Sequence, residues 1–252
     1  MGKTKNIQSV ERAMQILELF EQGNQEKSVK EIAEHLDLSK STVFGLINTL
    51  NNLGYLRQNE ENAKYSLGTR VLALGHAVSS ANLLAQKAHP HLQKLSFDYQ
   101  ETCLLAVEEN GFVVYIDKTE SPGSISINTR IGTKKELFCT GVGKCFLAFL
   151  PPQTANNIIG LGLRKVTPNT IATEHELAEE LQTIHDKGYA VDREEYELGI
   201  RCVAAPIFNK QGEIIASLSL TGPAGRIQAI PLDRLAASLM ETASAITRDM
   251  DI

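Results

Sequence analysis

No apolar run in this sequence approaches the roughly 18 residues that a membrane-spanning helix needs. The longest candidate, Cys145 to Leu150, is far too short. The opening MGKTKNIQSVE has no apolar centre, so no secretory signal is expected there. Cysteine is sparse. The four residues, at 103, 139, 145 and 202, include no CxxC pair and sit beside no histidine cluster. That argues against a disulfide framework and a zinc site, and no metal or other cofactor is expected. Reduced thiols without a signal segment suit a cytoplasmic protein with no membrane partner. Net charge is also small, at −5. Its placement matters more than its sum. Residues 1–70 carry nine Lys/Arg and nine Asp/Glu, so the whole deficit lies in the remaining 182 residues. A neutral N-terminal part can present a basic face locally, whereas an acidic C-terminal part is repelled by DNA.

What is present begins with helical periodicity. From Ser9, the residues Val10, Ala13, Met14, Leu17 and Phe20 recur at spacings of three and four, and Gly23-Asn24 closes the pattern. Ser28-Val29-Lys30-Glu31 reads as a capping box, followed by Val29, Ile32, Ala33 and Leu36 as a buried stripe ending near Asp37-Leu38. Ser39 offers a second N-cap. Val43, Ile47, Leu50 and Leu53 form the next stripe, with Leu46 at its edge and Gly54 as the terminating glycine. Two short helices joined by a tight turn make a helix-turn-helix. Its second helix leaves Ser39, Lys40, Ser41, Thr42, Phe44, Gly45 and Asn48 off the buried stripe. Hydroxyls and a lysine at a helix N-terminus suit phosphate, and Asn48 is placed to read a base edge. Tyr55-Leu56-Arg57 and Lys64-Tyr65-Ser66-Leu67, joined by the polar Asn59–Asn62 turn, read as a hairpin wing. Arg57 and Lys64 lie on it within reach of a phosphate backbone.

The C-terminal texture is mixed. Thr69–Ser80 has a helical pattern, leading to a stripe of Leu83, Leu84, Ala88, Leu92 and Leu95, with His89-Pro90 as a possible helix start. Thr102–Glu108 and Phe112–Lys118 are strands around an Asn110-Gly111 turn. Ile125, Ile127 and Thr129-Arg130 alternate as another strand. Cys145–Leu150 is a short helix stopped by Pro151-Pro152, and Glu174–Lys187 is an amphipathic helix. Arg201–Phe208 and Glu213–Thr221 are long strands, and Leu232, Leu235, Leu239 and Ile246 mark a terminal helix. Antiparallel strands interleaved with helices make an α+β domain. Strand alternation puts Cys202 and Ala204 on one face, and Ser217, Ser219 and Thr221 on one face of the next strand. Hydroxyls on a strand face are unusual for a pure core, because buried polar groups need partners. The other reading is that Ser219 and Thr221 face water and Cys202 is a small buried apolar residue.

Several motifs recur in order over nearly the whole chain: Ser9-Val10-Glu11-Arg12-Ala13, Leu38-Ser39-Lys40-Ser41-Thr42-Val43, Leu53-Gly54-Tyr55-Leu56 and Tyr65-Ser66-Leu67-Gly68. They continue as Thr140-Gly141-Val142-Gly143-Lys144, the stretches 188–195 and 199–207, and Ser217–Pro223. Together they resemble the IclR family of bacterial transcriptional regulators. The resemblance implies a winged helix-turn-helix over 1–68, a linker helix over 69–85, and a GAF-like α/β effector-binding and oligomerisation domain over 86–252. It implies a homo-oligomer, a dimer or a dimer of dimers, bound to double-stranded operator DNA of pseudo-palindromic sequence. It implies a repressor controlled by a small-molecule effector, here expected to be a carboxylate. Effector-contacting positions carry over to Gly141, Val142, Asp192, Cys202, Ser219 and Thr221, with Ile127 as an apolar wall. The Gly141-Val142-Gly143 run also precedes a helix, where backbone N–H groups receive anions.

One departure stands out. After Ser-Thr-Val the family often carries His-Arg, where this chain has Phe44-Gly45. Phe44 either touches a thymine methyl or packs on the wing, packing being the preferred reading. Two further functions are weighed. An enzyme would use Cys202 as a nucleophile beside Asp192, but no histidine motif lies near it to act as base, so no catalytic residue is assigned. A winged helix can also bind protein instead of DNA.

Overall fold

The computed structural model describes residues 6–20, 26–77, 79–120 and 129–250. The chain divides into two compact units, residues 1–79 and 80–252. The boundary falls inside the stretch 69–85.

In the first unit, α1 (Gln8–Glu18), α2 (Val29–Leu36) and α3 (Lys40–Asn52) precede a two-stranded hairpin, β1 (Leu56–Gln58) and β2 (Tyr65–Leu67). Both caps form. The Ser28 hydroxyl accepts from the Glu31 N–H at 3.3 Å, and Glu31 Oε2 accepts from the Ser28 N–H at 2.7 Å. Ser39 Oγ accepts from the Thr42 N–H at 3.2 Å. Asp37, in the left-handed region at φ 51°, turns the chain between the two helices. Ile16, Phe20, Ile32, Val43, Ile47, Leu56 and Tyr65 close one small core.

Several packing expectations need correcting. The buried face of α1 runs through Ala13, Ile16, Leu17 and Phe20, while Val10 and Met14 are more than half exposed. The helix is rotated from the expected face because Ile16 takes the central core position. Leu53 is the C-cap of α3 and is exposed, since the chain leaves the helix there. Phe44 is 51% exposed and does not pack on the wing. It lies one residue beyond Val43, on the flank of α3 about a quarter-turn from the core stripe, and the wing's Leu56 and Tyr65 fill that core instead. Gly23-Asn24, expected to end α1, lie outside the described residues.

α4 (Arg70–Ala77) and α5 (Ser79–Tyr99) follow. Pro90 does not start a helix. It sits inside α5, where a proline costs about 3 kcal/mol. Burial of Leu84, Ala88, Leu92 and Leu95 against the sheet outweighs that cost. Leu83, expected in the same stripe, is exposed.

The second unit is built on six antiparallel strands in the order β5-β4-β3-β8-β7-β6. These are β3 (Thr102–Glu109), β4 (Phe112–Thr119), β5 (Lys134–Glu136), β6 (Ala190–Arg193), β7 (Ile200–Phe208) and β8 (Ile214–Pro223). The Asn110-Gly111 turn joins β3 to β4 with both residues at positive φ, 54° and 85°, as a two-residue hairpin demands. β5 and β6 were not expected. Residues 121–128, including Ile125 and Ile127, lie outside the described residues, and Thr129 and Arg130 are not in a strand. α6 (Gly141–Phe149), α7 (Pro152–Ile159), α8 (Glu174–Lys187), α9 (Ala224–Ala229) and α10 (Leu232–Met250) complete the unit. One sheet face packs on α5 and α10 through Leu105, Val203, Ala205, Leu218 and Leu220. The other packs under α6 and α8 through Leu104, Ala106 and Ala204. The fold is α+β with helices on both faces.

Gly45 has no atom within 4 Å of where a Cβ would stand. Nothing in the fold requires glycine there. Gly45→Ala is expected to raise the stability of the chain by up to about 1 kcal/mol, the helix-propensity difference. Denaturant unfolding followed by circular dichroism would show it, and an unchanged or lower midpoint would contradict this account.

Candidate nucleic-acid interface and ligand cavity

The buried stripe Val43, Ile47 and Leu50 fixes which side of α3 faces outward. Ser39, Lys40, Ser41, Thr42, Phe44, Gly45 and Asn48 are all exposed. The Ser39 hydroxyl also lies 3.0 Å from Ser41 Oγ and 2.9 Å from Thr42 Oγ1, so three hydroxyls cluster at the helix start. On the wing, Arg57 donates from Nε to Ser66 Oγ at 2.9 Å across the hairpin. Lys64 precedes β2 and lies 3.7 Å from Glu31 Oε2. The wing turn is tied down by Glu26, whose two carboxylate oxygens accept from Asn59 and Asn62. The sequence pattern did not bring out Glu26. The result is an exposed, capped helix end beside a braced hairpin carrying two cations.

In the second unit the strand register gathers the expected polar face. Cys202 pairs with Thr221 and Ala204 with Ser219 across β7–β8, while Asp192 on β6 pairs with Cys202. Ser217, Ser219 and Thr221 are buried, not facing water. Ser217 donates to the Ala205 carbonyl, and Ser219 and Thr221 lie 3.3 Å apart through their hydroxyls. Asp192, Cys202, Ser219 and Thr221 line a cavity of about 30 Å³, room for a water or two. Gly141 is not on the cavity wall but behind Cys202, where a Cβ would come within 2.7 Å of its sulfur. Val142 is in the core under α6. The N-terminus of α6 is already capped, Thr140 Oγ1 accepting from the Gly143 N–H at 3.1 Å.

The cavity also holds residues not singled out from the sequence: Leu104, Tyr115, Thr129, Lys135, Thr140, Tyr196, Glu197 and Ile200. Lys135 is the most consequential. Its ammonium lies 4.0 Å from the Tyr196 ring centre and 5.5 Å from that of Tyr115, and it donates to Thr129 Oγ1 at 3.2 Å. Sequence spacing gives no hint of this, because β5 has only three residues and no alternation to read.

Beside the cavity lies a buried ionic cluster. Lys144, fully buried on α6, donates to Glu195 at 2.6 Å, to Glu180 at 2.9 Å and to the Val191 carbonyl at 2.8 Å. All three of its protons are used. Burial pushes the Glu180 carboxyl up, but Lys144 and then Arg193 overrule it and hold it below the usual range. Burial also raises the Cys202 thiol to about 12, too high for a thiolate nucleophile near neutral pH. Burial raises Asp192 to about 7, with the neighbouring Glu195 charge adding to it. The Glu195 N–H, which Asp192 accepts at 2.7 Å, opposes the shift.

Residues 9–60 match the model of the IclR helix-turn-helix domain, and residues 75–248 match that of the bacterial transcriptional regulator IclR C-terminal domain. The chain belongs to the IclR family. It is 36% identical over 243 residues to the HTH-type transcriptional regulator XynR of Escherichia coli, covering 96% of each chain. It is 31% identical over 248 residues to the acetate operon repressor of Salmonella typhimurium, covering 97% of this chain and 90% of that one. The crystal structure of the Thermotoga maritima IclR superposes with a TM-score of 0.80 at 31% identity, covering 98% of this chain and all of the other. As an IclR protein the chain is a DNA-binding transcriptional regulator, not an enzyme.

The raised Asp192 of this IclR protein has a pH consequence. Between about pH 4, the ordinary aspartate range, and pH 7, the folded chain holds a proton that the unfolded chain has released. The stability this group contributes is therefore full at low pH and is lost as pH rises towards 7, by at most about 1.4 kcal/mol per unit. Asp192→Asn removes that loss. Denaturant unfolding of the parent and the variant from pH 4 to 8 should show the difference moving in favour of Asn as pH rises. A pH-independent difference would rule the shift out.

Proposed function

We propose that this IclR-family regulator is a repressor that reads an operator with α3 and releases or tightens it when a small carboxylate binds the C-terminal cavity. The observation that carries the reading is the exposed N-terminal end of α3, with its core stripe turned inward and its hydroxyls, lysine and asparagine turned out. Ser39, Lys40, Ser41 and Thr42 take phosphate contacts, and Asn48 reads a base edge. Phe44 is free to meet a thymine methyl, and Gly45 leaves room for close approach of the backbone. Arg57 and Lys64 on the wing take flanking phosphates. The name of the Salmonella relative supports repression, by analogy alone. DNA as partner supports a cytoplasmic location.

The effector reading is supported by the buried hydroxyls of Ser219 and Thr221 facing the same cavity as Asp192 and Cys202. Gly141 and Val142 hold that wall from behind. An effector acts only by binding one arrangement of the protein better than another. Self-association is supported by the exposed apolar stripe of Ile7, just before α1, with Val10 and Met14 on it, and by exposed Leu72 and Leu74 on α4. A dimer brings two copies of α3 to half-sites about one helical turn apart.

Gel shifts against the promoter regions flanking its own gene test the DNA reading. Lys40→Ala is expected to lower affinity on every sequence and to reduce the salt slope by about one. Asn48→Ala is expected to relax specificity at one base pair, by roughly 1–3 kcal/mol. A Lys40→Ala protein that binds as tightly as the parent would show that α3 is placed wrongly. Met14→Asp, at a position outside the core, is expected to weaken self-association in analytical ultracentrifugation. An unchanged sedimentation profile would remove α1 from the interface.

A further inference from the structure

We infer that Lys135 is the anchor for the effector's carboxylate and that the Tyr196 ring holds the place of that carboxylate until the effector enters. The inference rests on the reading of the cavity as an effector site. It assigns that site a residue outside those expected from the sequence.

Lys135 is a cation short of a counter-charge. Its contacts are two aromatic faces and one hydroxyl, with no ion pair among the described residues. The other enclosed lysines are matched differently: Lys144 has Glu195 and Glu180, and Lys118 has Glu120. Burial pulls the Lys135 ammonium below the usual lysine range, and the charges of Glu197 and Asp192 offset that only in part. Two acidic side chains line the same cavity, but Asp192 is turned to the Glu195 N–H and Glu197 lies beyond ion-pair distance. An incoming carboxylate would supply the missing charge.

Tyr196 occupies the position from which such a carboxylate would act. A ring face is a weak substitute for an anion, which makes it displaceable. It stands on the turn 194–199, which carries two left-handed positions, Glu194 at φ 66° and Gly199 at φ 82°. The turn is closed by Glu194 Oε2 accepting the Gly199 N–H at 2.8 Å. With the ring in place the cavity is about 30 Å³, room for a water or two beside Lys135. Ring and carboxylate therefore exclude each other: both need the same ammonium and the same space. Entry of the effector moves Tyr196, and with it the turn that leads into β7.

The chain contains no tryptophan, so Tyr196→Trp places a single reporter over Lys135 in the full-length protein. The probes are glycerate, propionate and gluconate, with glycerol as the uncharged control. At least one of the acids is expected to shift the emission saturably, and glycerol to leave it unchanged. Adding Lys135→Met should weaken that response at least tenfold, while Lys135→Arg keeps most of it. The melting temperature of Lys135→Met should not fall, because the substitution removes a desolvated, unmatched cation. That separates anchoring from a structural role. If an acid binds the Lys135→Met protein as tightly as the parent, the anchor is refuted and the effector site stands. If an acid binds, seen by calorimetry, without moving the reporter, the exchange with Tyr196 is refuted. If no acid binds the unsubstituted chain, the effector reading falls and takes the role of Lys135 with it.

Discussion

The ladder between β7 and β8 is the constraint on which the second unit depends. Its register sets Cys202 opposite Thr221 and Ala204 opposite Ser219, and places Val203 opposite Leu220 on the other face. A slip by one residue would turn the hydroxyls into the apolar core under α5 and α10, and the leucines into the cavity. The two faces are so unlike that the register has little freedom. β3 extends the same division, with Leu104 opposite Ser219 on the cavity side and Leu105 opposite Leu218 on the core side.

On that frame, the buried ammonium of Lys144 ties three elements together. It comes from α6 and reaches Glu180 on α8, the carbonyl of Val191 on β6, and Glu195 just beyond that strand. One oxygen of Glu195 is left buried without a partner. Buried ion clusters are weak evidence of net stability, since desolvation offsets much of the attraction. Their geometry is nevertheless demanding. Here it fixes where Thr140, Asp192 and the 194–199 turn stand around the cavity. A ligand that moves the turn acts beside a cluster intolerant of small displacements.

The first unit uses simpler means. Two caps, one inward stripe and a hairpin braced by Glu26 present one helix end to solvent. Phe44 and Gly45 on that face lack the hydrogen-bonding groups common in the family. The apolar surface on α1 and α4 faces outward. The apolar surface proposed for self-association thus lies on different helices from the exposed end of α3 proposed to read DNA.

Much of this was legible in the residues. The capping box at Ser28, the cap at Ser39, the stripe on α3, the helix 174–187 and the turn at Asn110-Gly111 follow from short-range chemistry, which a neighbour three or four residues away decides. Strand alternation alone put Ser217, Ser219 and Thr221 on one face. What the sequence left open were matters of long-range partnership. It could not show that Ile16 and not Val10 would fill the core, or that α5 would run through Pro90 because the sheet rewards burial on both sides of it. It gave no sign that Lys135 on β5 would stand over Tyr196 just beyond β6, since those two strands are far apart in sequence and at opposite ends of the strand order. Local chemistry determined the helices, the caps and the polar strand face. Tertiary packing decided which faces were buried and which charges were left without a partner, because both depend on what the rest of the chain brings alongside.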